Sequence, residues 1–213
     1  MPTRIGLYGG SFNPIHNGHL IVARAIAERL GLERVIFLPS AAPPHKPEEG
    51  LLDPVHRAEM VKLAIQDEPS FEFSDFDLTR SGPSYTIDTV MHFRELLGRD
   101  ADLHWIIGAD SLPEIVTWYH ASALVDACHV ITAARAGWEQ IDWNEFRKPL
   151  NESQIASLRA GVLDTPVIEI ASTDIRRRIR EGRSTRYLVP DKVRSYIEVH
   201  GLYRDSLSGH PNT

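Results

Sequence analysis

Residues 6–20 read GLYGGSFNPIHNGHL, and this stretch predicts the opening unit of an α/β fold. An apolar run at 5–8 ends in a pair of glycines, which is typical of a buried strand that stops at a tight turn. A helix is expected at 18–30, because apolar residues recur there at helical spacing and Gly31 follows as a stop signal. A strand, a glycine turn and a helix in this order form the first part of a parallel sheet.

The same alternation continues along the chain. Further strands are predicted at 35–38, 71–76, 103–107, 129–133 and 167–170. Further helices are predicted to begin at Pro54, at Ser84 or Thr86, at Ser172 or Thr173, and at Pro190, with the hydroxyl residues as caps. This order predicts a doubly wound, mostly parallel sheet with a small C-terminal helical part at about 172–203. One domain is expected over 1–204, and the tail at 205–213 is expected to be disordered.

Charge and composition argue against a nucleic-acid-binding, membrane-spanning or secreted protein. The 213 residues carry a formal net charge of −6, which argues against a nonspecific nucleic-acid binder. No apolar stretch has the length of a membrane span, and the start lacks the apolar core of a signal peptide. The one cysteine, Cys128, lies in an apolar run and is interpreted as a buried structural residue, so a reducing, cytoplasmic location is expected. The sequence leaves a homo-oligomer open.

Two histidines flank the predicted start of the first helix. Ligands of a doubly wound sheet bind beyond the carboxyl ends of the strands, where the strand order reverses. Gly9 and Gly10 at the end of the first strand allow a phosphate to approach the backbone. His16 and His19 lie beside the helix N-terminus, which attracts anions, and imidazoles there can donate hydrogen bonds to phosphate oxygens. This combination favours a phosphate site over separate structural or zinc-binding histidines, and it lacks the Gly-Lys-Ser/Thr ending of a P-loop.

A second phosphate-binding segment is predicted at 170–183, which reads IASTDIRRRIREGR. Ser172 and Thr173 either cap the helix or bind phosphate. Arg176 lies in the first helical turn, where the helix dipole disfavours a cation unless an anion lies nearby. The other arginines of the segment, Arg177, Arg178, Arg180 and Arg183, are interpreted as a solvated face.

Several of these motifs resemble one known family. The HNGH at 16–19 is similar to the HxGH signature of the nucleotidyltransferase superfamily, and GGSFNPIH at 9–16 resembles the bacterial nicotinate mononucleotide adenylyltransferases. The likeness extends over nearly the whole chain. It includes PPHK at 43–46, SYT at 84–86, IGADS at 107–111, Trp118, STDIR at 172–176 and HGLY at 200–203.

The resemblance implies a Rossmann-like enzyme of NAD biosynthesis that transfers the adenylyl group of ATP to nicotinate mononucleotide and releases pyrophosphate. The implied catalytic residues are His16, His19 and Arg176. The implied ATP-binding residues are these three together with Gly9, Gly10, Ser11, Phe12, Gly108, Asp110, Ser172 and Thr173. The implied mononucleotide-binding residues are Asn13, Lys46, Ser84, Tyr85, Thr86, Trp118 and Tyr119. Mg²⁺ is expected to travel on the ATP phosphates, with no protein side chain as its ligand.

Some individual roles keep two interpretations. Lys46 is assigned by resemblance to a phosphate of either substrate, and Asp110 to the ATP ribose or to a helix cap. Trp118 is expected against the pyridine ring, and backbone N–H groups near Thr86 and Tyr119 against the nicotinate carboxylate. The other tryptophans, Trp105, Trp138 and Trp143, are interpreted as structural.

The chain departs from the family pattern at Ala171, which replaces the first serine of the closing motif and removes that hydroxyl. Two rival functions remain at this stage. One is a related transferase that prefers another phosphate, such as nicotinamide mononucleotide or phosphopantetheine. The other is a nucleotide-binding regulator that has lost catalysis.

Overall fold

A computed structural model describes residues 3–41, 50–98, 100–134 and 141–204 of the protein. The strands are β1 Arg4–Gly10, β2 Arg34–Pro39, β3 Phe71–Phe73, β4 Asp102–Gly108, β5 His129–Ala134 and β6 Val162–Asp164. They form one sheet in the order β3-β2-β1-β4-β5-β6. Every neighbouring pair in this sheet is parallel. The predicted doubly wound architecture is confirmed, with a sheet that is parallel throughout the described part of the chain.

Helices lie between and after the strands. They are α1 Asn17–Leu30, α2 Pro54–Ile65, α3 Phe76–Thr79, α4 Thr86–Leu97, α5 Ala121–Ala127, α6 Glu152–Ala160, α7 Ser172–Arg180 and α8 Asp191–Val199. Short 3₁₀ turns occupy Ala109–Ser111, Pro113–Thr117 and Glu145–Arg147. None of the described helices is long and apolar enough to cross a membrane.

The strands are apolar on both faces because helices cover both sides of the sheet. On β1, the side chains of Ile5 and Leu7 join a core cluster with α4, α5 and α6. Tyr8 points to the opposite face and packs in a second cluster with α1, α2, α7 and α8. The period of two along the strand therefore divides the core into two apolar layers.

Local sequence signals fix several helix ends as predicted. Gly31 ends α1 in the left-handed conformation, with φ of 61°. Asp53 caps α2 by accepting a hydrogen bond from the N–H of Val55 at 2.8 Å, and Pro54 occupies the first helical position. Cys128 is buried as predicted, and burial raises the pKa of its thiol to about 12. This thiol therefore stays protonated and unreactive at neutral pH.

Two strand predictions need correction. The last strand is Val162–Asp164, and the apolar run at 167–170 is not part of the sheet. Its side chains pack beside α1 instead, where Ile168 approaches Gly18 and Ile170 joins the second core cluster. The predicted strand at 71–76 ends at Phe73, because the Ser74 hydroxyl accepts the N–H of Phe76 and a short helix begins there.

The order of the strands creates one reversal point. From β1 the chain winds outward through β2 to β3, and it then returns to place β4 on the other side of β1. The carboxyl ends of β1 and β4 therefore diverge into a crevice, where doubly wound sheets bind ligands. The division into one domain and a tail stays a prediction, since 205–213 lies outside the described residues.

Candidate active site

A cavity of about 870 Å³, including the part open to solvent, lies at this reversal point. Its lining comes from the ends of β1, β2 and β4 and from the segments around α3, α4 and α5. The lining residues are Gly9, Gly10, Ser11, Ser40, Asp77, Ser84, Tyr85, Thr86, Trp105, Ile107, Gly108, Ser111, Glu114, Trp118 and Tyr119. Nine of them, distributed from residue 9 to residue 119, belong to the predicted binding set. The fold therefore collects in one place residues that the sequence distributes widely.

The wall of the cavity explains the need for a glycine at position 9. A Cβ atom on Gly9 would lie 2.5 Å from Cζ2 of Trp105, far inside van der Waals contact. The Trp105 ring is 4% exposed and packs in the core cluster below the sheet. Trp105 is structural as predicted, and it also lines the cavity, which the sequence did not indicate.

The histidine pair lies beside the same loop. The imidazole rings of His16 and His19 stack with their centroids 3.6 Å apart. The ring of Phe12 lies next to both this pair and the cavity lining, with its centroid 5.1 Å from that of His19 and its edge near Gly10. Neither histidine lines the cavity itself, although Gly9, Gly10 and Ser11 of the same loop do.

A hydrogen bond from a backbone N–H group determines the tautomer of the His19 imidazole. The N–H of His16 donates to Nδ1 of His19 at 3.2 Å. Because Nδ1 is then an acceptor, the proton of the neutral imidazole resides on Nε2, which becomes a donor. The first turn of α1 contains no acidic residue, and its first N–H, that of Asn17, donates to the carbonyl of Leu188 at 2.9 Å. The positive end of the helix dipole favours an anion beside it.

The helix α7 meets the first loop although about 160 residues separate them. The hydroxyl of Ser172 donates to the carbonyl oxygen of Pro14 at 2.9 Å. Nη1 of Arg176 donates to the carbonyl oxygen of Asn13 at 2.8 Å. A backbone carbonyl thus supplies negative partial charge beside the arginine, and the arginine remains next to the histidine loop.

The predicted caps at three helix starts are wrong. Ala171 occupies the cap position of α7 with no side-chain hydrogen bond, Ser172 is engaged with Pro14, and Thr173 is exposed in the first turn. Tyr85 occupies the cap position of α4, because the Ser84 hydroxyl donates to the carbonyl of Asp77 at 3.5 Å. In both helices the serine hydroxyl that was predicted to cap the helix donates instead to a backbone carbonyl outside that helix.

A third capping prediction fails at the end of β4. Asp110 is exposed in the 3₁₀ turn Ala109–Ser111 and makes no capping hydrogen bond. Gly108 lines the cavity at this point. Asp110 itself does not line the cavity, and its predicted contact with the ATP ribose stays a prediction.

Asn13 links three segments of the chain and does not line the cavity. Its side chain is 5% exposed. Nδ2 donates to the carbonyl of Gly50 at 2.8 Å, and Oδ1 accepts from the N–H of Leu52 and from the hydroxyl of Tyr203. Burial raises the pKa of Tyr203 far above its usual range, so this hydroxyl remains a donor at any physiological pH.

We expect Tyr203→Phe to lower the free energy of unfolding by about 0.5–1.5 kcal/mol, because it deletes the 2.8 Å hydrogen bond to buried Asn13. Denaturant unfolding monitored by circular dichroism measures the change. Tyr187→Phe is the matched control, since Tyr187 is 80% exposed. Equal stabilities of the two variants would contradict a contribution from the Asn13 hydrogen bond.

Aromatic side chains line the far end of the cavity. The rings of Tyr85 and Tyr119 stack with centroids 4.4 Å apart, and half-buried Trp118 adjoins them. Thr86 begins α4 at the same place. The predicted group of Ser84, Tyr85, Thr86, Trp118 and Tyr119 is therefore assembled as one aromatic end.

Six lining residues were not predicted from the sequence: Ser40, Asp77, Trp105, Ile107, Ser111 and Glu114. Ser40 directly follows β2, so the rule that ligands bind beyond carboxyl ends could have indicated it. Asp77 is 4% exposed, accepts the hydroxyl of Thr89 at 2.7 Å, and has its pKa raised by burial. No local pattern marks it, because its burial depends on how α3 and α4 pack.

Lys46 and Trp138 lie outside the described residues, so their predicted roles stay predictions. Within the described ranges, no group of three or more histidine, cysteine, aspartate or glutamate side chains is arranged to hold a metal ion.

Comparison with known proteins identifies the family. The cytidylyltransferase-like family model matches residues 7–178. A protein of Desulfitobacterium hafniense (strain Y51) named "Probable nicotinate-nucleotide adenylyltransferase" is 42% identical over 203 residues, which cover 95% of this chain and 97% of that protein. A protein of Moorella thermoacetica with the same name is 40% identical over 208 residues, covering 98% of this chain and 95% of its own.

Solved structures agree on the fold. The Plasmodium falciparum nicotinic acid mononucleotide adenylyltransferase complexed with NaAD aligns with a TM-score of 0.73 at 20% identity, covering 94% of this chain and 97% of its own. The relatives above match the chain almost from end to end, and the motifs at 9–19 and 172–176 meet in the structure. The chain therefore belongs to the cytidylyltransferase-like family and, within it, to the nicotinate-nucleotide adenylyltransferases.

Proposed function

We propose that the protein transfers the adenylyl group of ATP to nicotinate mononucleotide, giving nicotinate adenine dinucleotide and pyrophosphate in NAD biosynthesis. The observation that supports this most is the combination of two groups of residues at the reversal point of the sheet. The histidine pair, the α1 N-terminus and Arg176 lie together at the loop after β1. The cavity that begins at the same loop is also lined by the stacked rings of Tyr85 and Tyr119. A phosphate chain suits the first group, and a flat pyridine ring suits the second.

The reaction is proposed as a direct in-line displacement. The phosphate of the mononucleotide attacks the α-phosphorus of ATP, a P–O bond forms, and the bond to the pyrophosphate leaving group breaks. The nucleophile is anionic at neutral pH, so no side chain has to remove a proton. Catalysis then consists of positioning and of stabilising the developing charge. His16, His19 and Arg176 are the proposed donors, and Lys46 is proposed to bind a substrate phosphate.

ATP is proposed to enter as its Mg²⁺ complex. Mg²⁺ retains several waters and binds readily to substrate phosphates, so it needs few protein ligands. The described carboxylates that line the cavity are Asp77 and Glu114, and they form no group of three with other metal ligands. The metal is therefore proposed as part of the substrate, where it neutralises phosphate charge.

Preference for nicotinate is proposed to come from the start of α4. The N–H groups of Asp88 and Thr89 donate to the carbonyl of Tyr85. Helix geometry leaves the N–H groups ahead of them, those of Thr86 and Ile87, for an outside acceptor. A carboxylate accepts such hydrogen bonds more strongly than an uncharged amide does.

Pyrophosphate release tests this function directly. The purified protein is incubated with Mg²⁺-ATP and, in separate reactions, nicotinate mononucleotide, nicotinamide mononucleotide or phosphopantetheine. Fastest release is expected with nicotinate mononucleotide. Faster release with another acceptor would reassign the substrate, and ATP binding without release would support a regulator. We also propose a cytoplasmic location, which the single buried cysteine supports.

We expect Trp118→Ala to raise KM for nicotinate mononucleotide about tenfold, because it removes a stacking surface for the pyridine ring. KM for ATP should change little, and Trp118→Phe should restore part of the affinity. Trp143→Ala is the matched control, since Trp143 packs partly buried against the same core cluster but does not line the cavity. Equal increases of KM in the Trp118→Ala and Trp143→Ala variants would contradict the stacking role.

A further inference from the structure

A fully buried arginine, Arg57, lies next to two loops that line the cavity. Arg57, in the first turn of α2, is 0% exposed and is the largest fully buried side chain of the described residues. Within that part of the chain it forms no ion pair with a carboxylate. Asp53, which precedes α2, uses its carboxylate to cap that helix at the N–H of Val55.

The guanidinium group of Arg57 donates to four backbone carbonyls. Nη1 donates to Ser11 at 2.8 Å and to Ser40 at 2.7 Å. Nε donates to Leu52 at 2.9 Å, and Nη2 donates to Ala41 at 3.3 Å. These carbonyls come from the loop after β1, the loop after β2 and the approach to α2. Only the planar fork of an arginine presents donors in directions that reach all of them.

Two of these carbonyl groups belong to residues that line the cavity. Ser11 follows the glycine pair at the end of β1, and Ser40 follows β2. The Ser40 N–H also donates to the carbonyl of Gly10 at 3.0 Å, which ties the two loops together on the cavity side. Two sets of hydrogen bonds therefore hold the two loops at a fixed separation. Arg57 donates to a carbonyl of each loop, and the Ser40 N–H joins one loop directly to the other through the carbonyl of Gly10.

Burying a charged guanidinium group has an electrostatic cost, and burial lowers the pKa of Arg57, although an arginine remains charged at any physiological pH. An apolar side chain of similar volume would avoid that cost but would remove the donor from the carbonyls of Ser11, Ser40, Ala41 and Leu52. The positive charge also acts through a low-dielectric layer on whatever binds at Ser11 and Ser40. This positive potential favours an anion at the end of β1.

We propose that Arg57 is a positioning residue for the adenylyl transfer, and this proposal rests on the function proposed above. Arg57 does not touch the substrates. It holds the loops after β1 and β2 at the separation that aligns the phosphates for in-line attack. Misplacement of reacting groups by about 1 Å lowers rates by about 100-fold, so the loss of this fork should appear in kcat.

The test compares Arg57→Lys with the wild-type chain. Lysine keeps the charge and a donor group, so the variant is expected to fold, but it lacks the fork that spans Ser11 and Ser40. We expect kcat per binding-competent site to fall about 10- to 100-fold. The competent fraction is measured by calorimetric titration with ATP. Gln154→Ala is the matched control. The Gln154 side chain is buried, accepts from the N–H of Asn151 and donates to Ser122 and Asp126, and none of these residues lines the cavity.

A merely structural role predicts that both variants lose activity only in proportion to their unfolded fraction. Wild-type kcat per competent site in Arg57→Lys, or an equal loss in Gln154→Ala, would overturn the proposal. If the wild-type chain released no pyrophosphate, the function proposed above would fail instead. The Arg57 proposal would then be judged on ATP binding alone. A tenfold weaker affinity of Arg57→Lys supports loop positioning, and an unchanged affinity overturns it.

Discussion

Replacing His19 with alanine is expected to lower kcat about 10²- to 10³-fold, the effect typical of losing one preorganised donor to transition-state charge. The N–H of His16 occupies Nδ1 of His19, which places the proton on Nε2. That N–H group can then donate to a phosphate oxygen as negative charge develops on it. Initial rates of pyrophosphate release at saturating substrates measure the change, and KM for either substrate is expected to change less than kcat.

The same substitution removes an acceptor at the start of α1, which costs stability on its own. His19→Asn separates the two roles, because the Asn side-chain oxygen can accept the His16 N–H as a capping residue does. It lacks a donor at the position of Nε2. We expect His19→Asn to recover stability by about 1 kcal/mol over His19→Ala while its kcat stays low.

His129→Ala is the matched control for a lost imidazole. His129 lies at the amino end of β5, with a side chain 59% exposed and paired with Asp102. It is at the opposite edge of the sheet from the cavity, so kcat should be unchanged. A wild-type kcat in His19→Asn would show that the ring stabilises the helix start and takes no part in the reaction.

The histidine loop was predictable because its signals are local. The apolar run, the glycine pair and the helical spacing at 18–30 each depend on residues close in sequence. The rule for parallel sheets then predicted a ligand site at the end of β1, where the structure has a cavity. Ser40 follows the same logic at the end of β2. The motifs around Trp118 and Thr86 were recovered from family resemblance, and the structure places them in one cavity.

Features that depend on three-dimensional register were not predictable. Trp105 meets Gly9 because β1 and β4 pair with Leu7 opposite Trp105, and no local pattern gives that register. The hydroxyl of Ser172 finds the carbonyl of Pro14 across the fold instead of capping its own helix. In the sequence, Arg57 resembles any charged residue of a helix. Only the structure shows that its guanidinium group donates to four carbonyls from three segments.

The run at 167–170 shows how an apolar pattern can be only partly correct about burial and wrong about secondary structure. Val167 is 60% exposed, whereas Ile168 and Ile170 are partly buried and Ile170 packs against the second core cluster. The actual edge strand, Val162–Asp164, is only three residues long. Hydrophobic periodicity reports which side chains are buried, and it does not distinguish a sheet partner from a helix partner in a short run.

We expect Gly9→Ala to lower the free energy of unfolding by about 1–3 kcal/mol, the usual cost of overpacking a filled core. The new methyl group would lie 2.5 Å from Cζ2 and 2.6 Å from Cη2 of Trp105. These atoms belong to a rigid ring that is 4% exposed, so the ring or β1 has to move. Chemical denaturation measures the loss of stability. The emission maximum of tryptophan fluorescence should also shift, because the surroundings of the Trp105 ring change.

Gly108→Ala is the matched control, because Gly108 ends the neighbouring strand and lines the same cavity. A Cβ atom there meets nothing within 4 Å, and its φ of −75° suits any residue. Its stability should stay within about 0.5 kcal/mol of wild type. A comparable loss in both variants would indicate that the conformational freedom of glycine, and not the Trp105 ring, determines the cost.

The contact itself can be isolated by a double-mutant cycle. Trp105→Leu removes the ring atoms that oppose Gly9. Alone, it should lower the free energy of unfolding by about 2–4 kcal/mol, because it leaves a cavity in the core. In the double variant the methyl group introduced by Gly9→Ala projects into that hole and no longer collides with the ring. The combined loss should therefore fall short of the sum by about 1 kcal/mol or more. Strictly additive losses would mean that the close approach of β1 to Trp105 does not set the requirement for glycine at position 9.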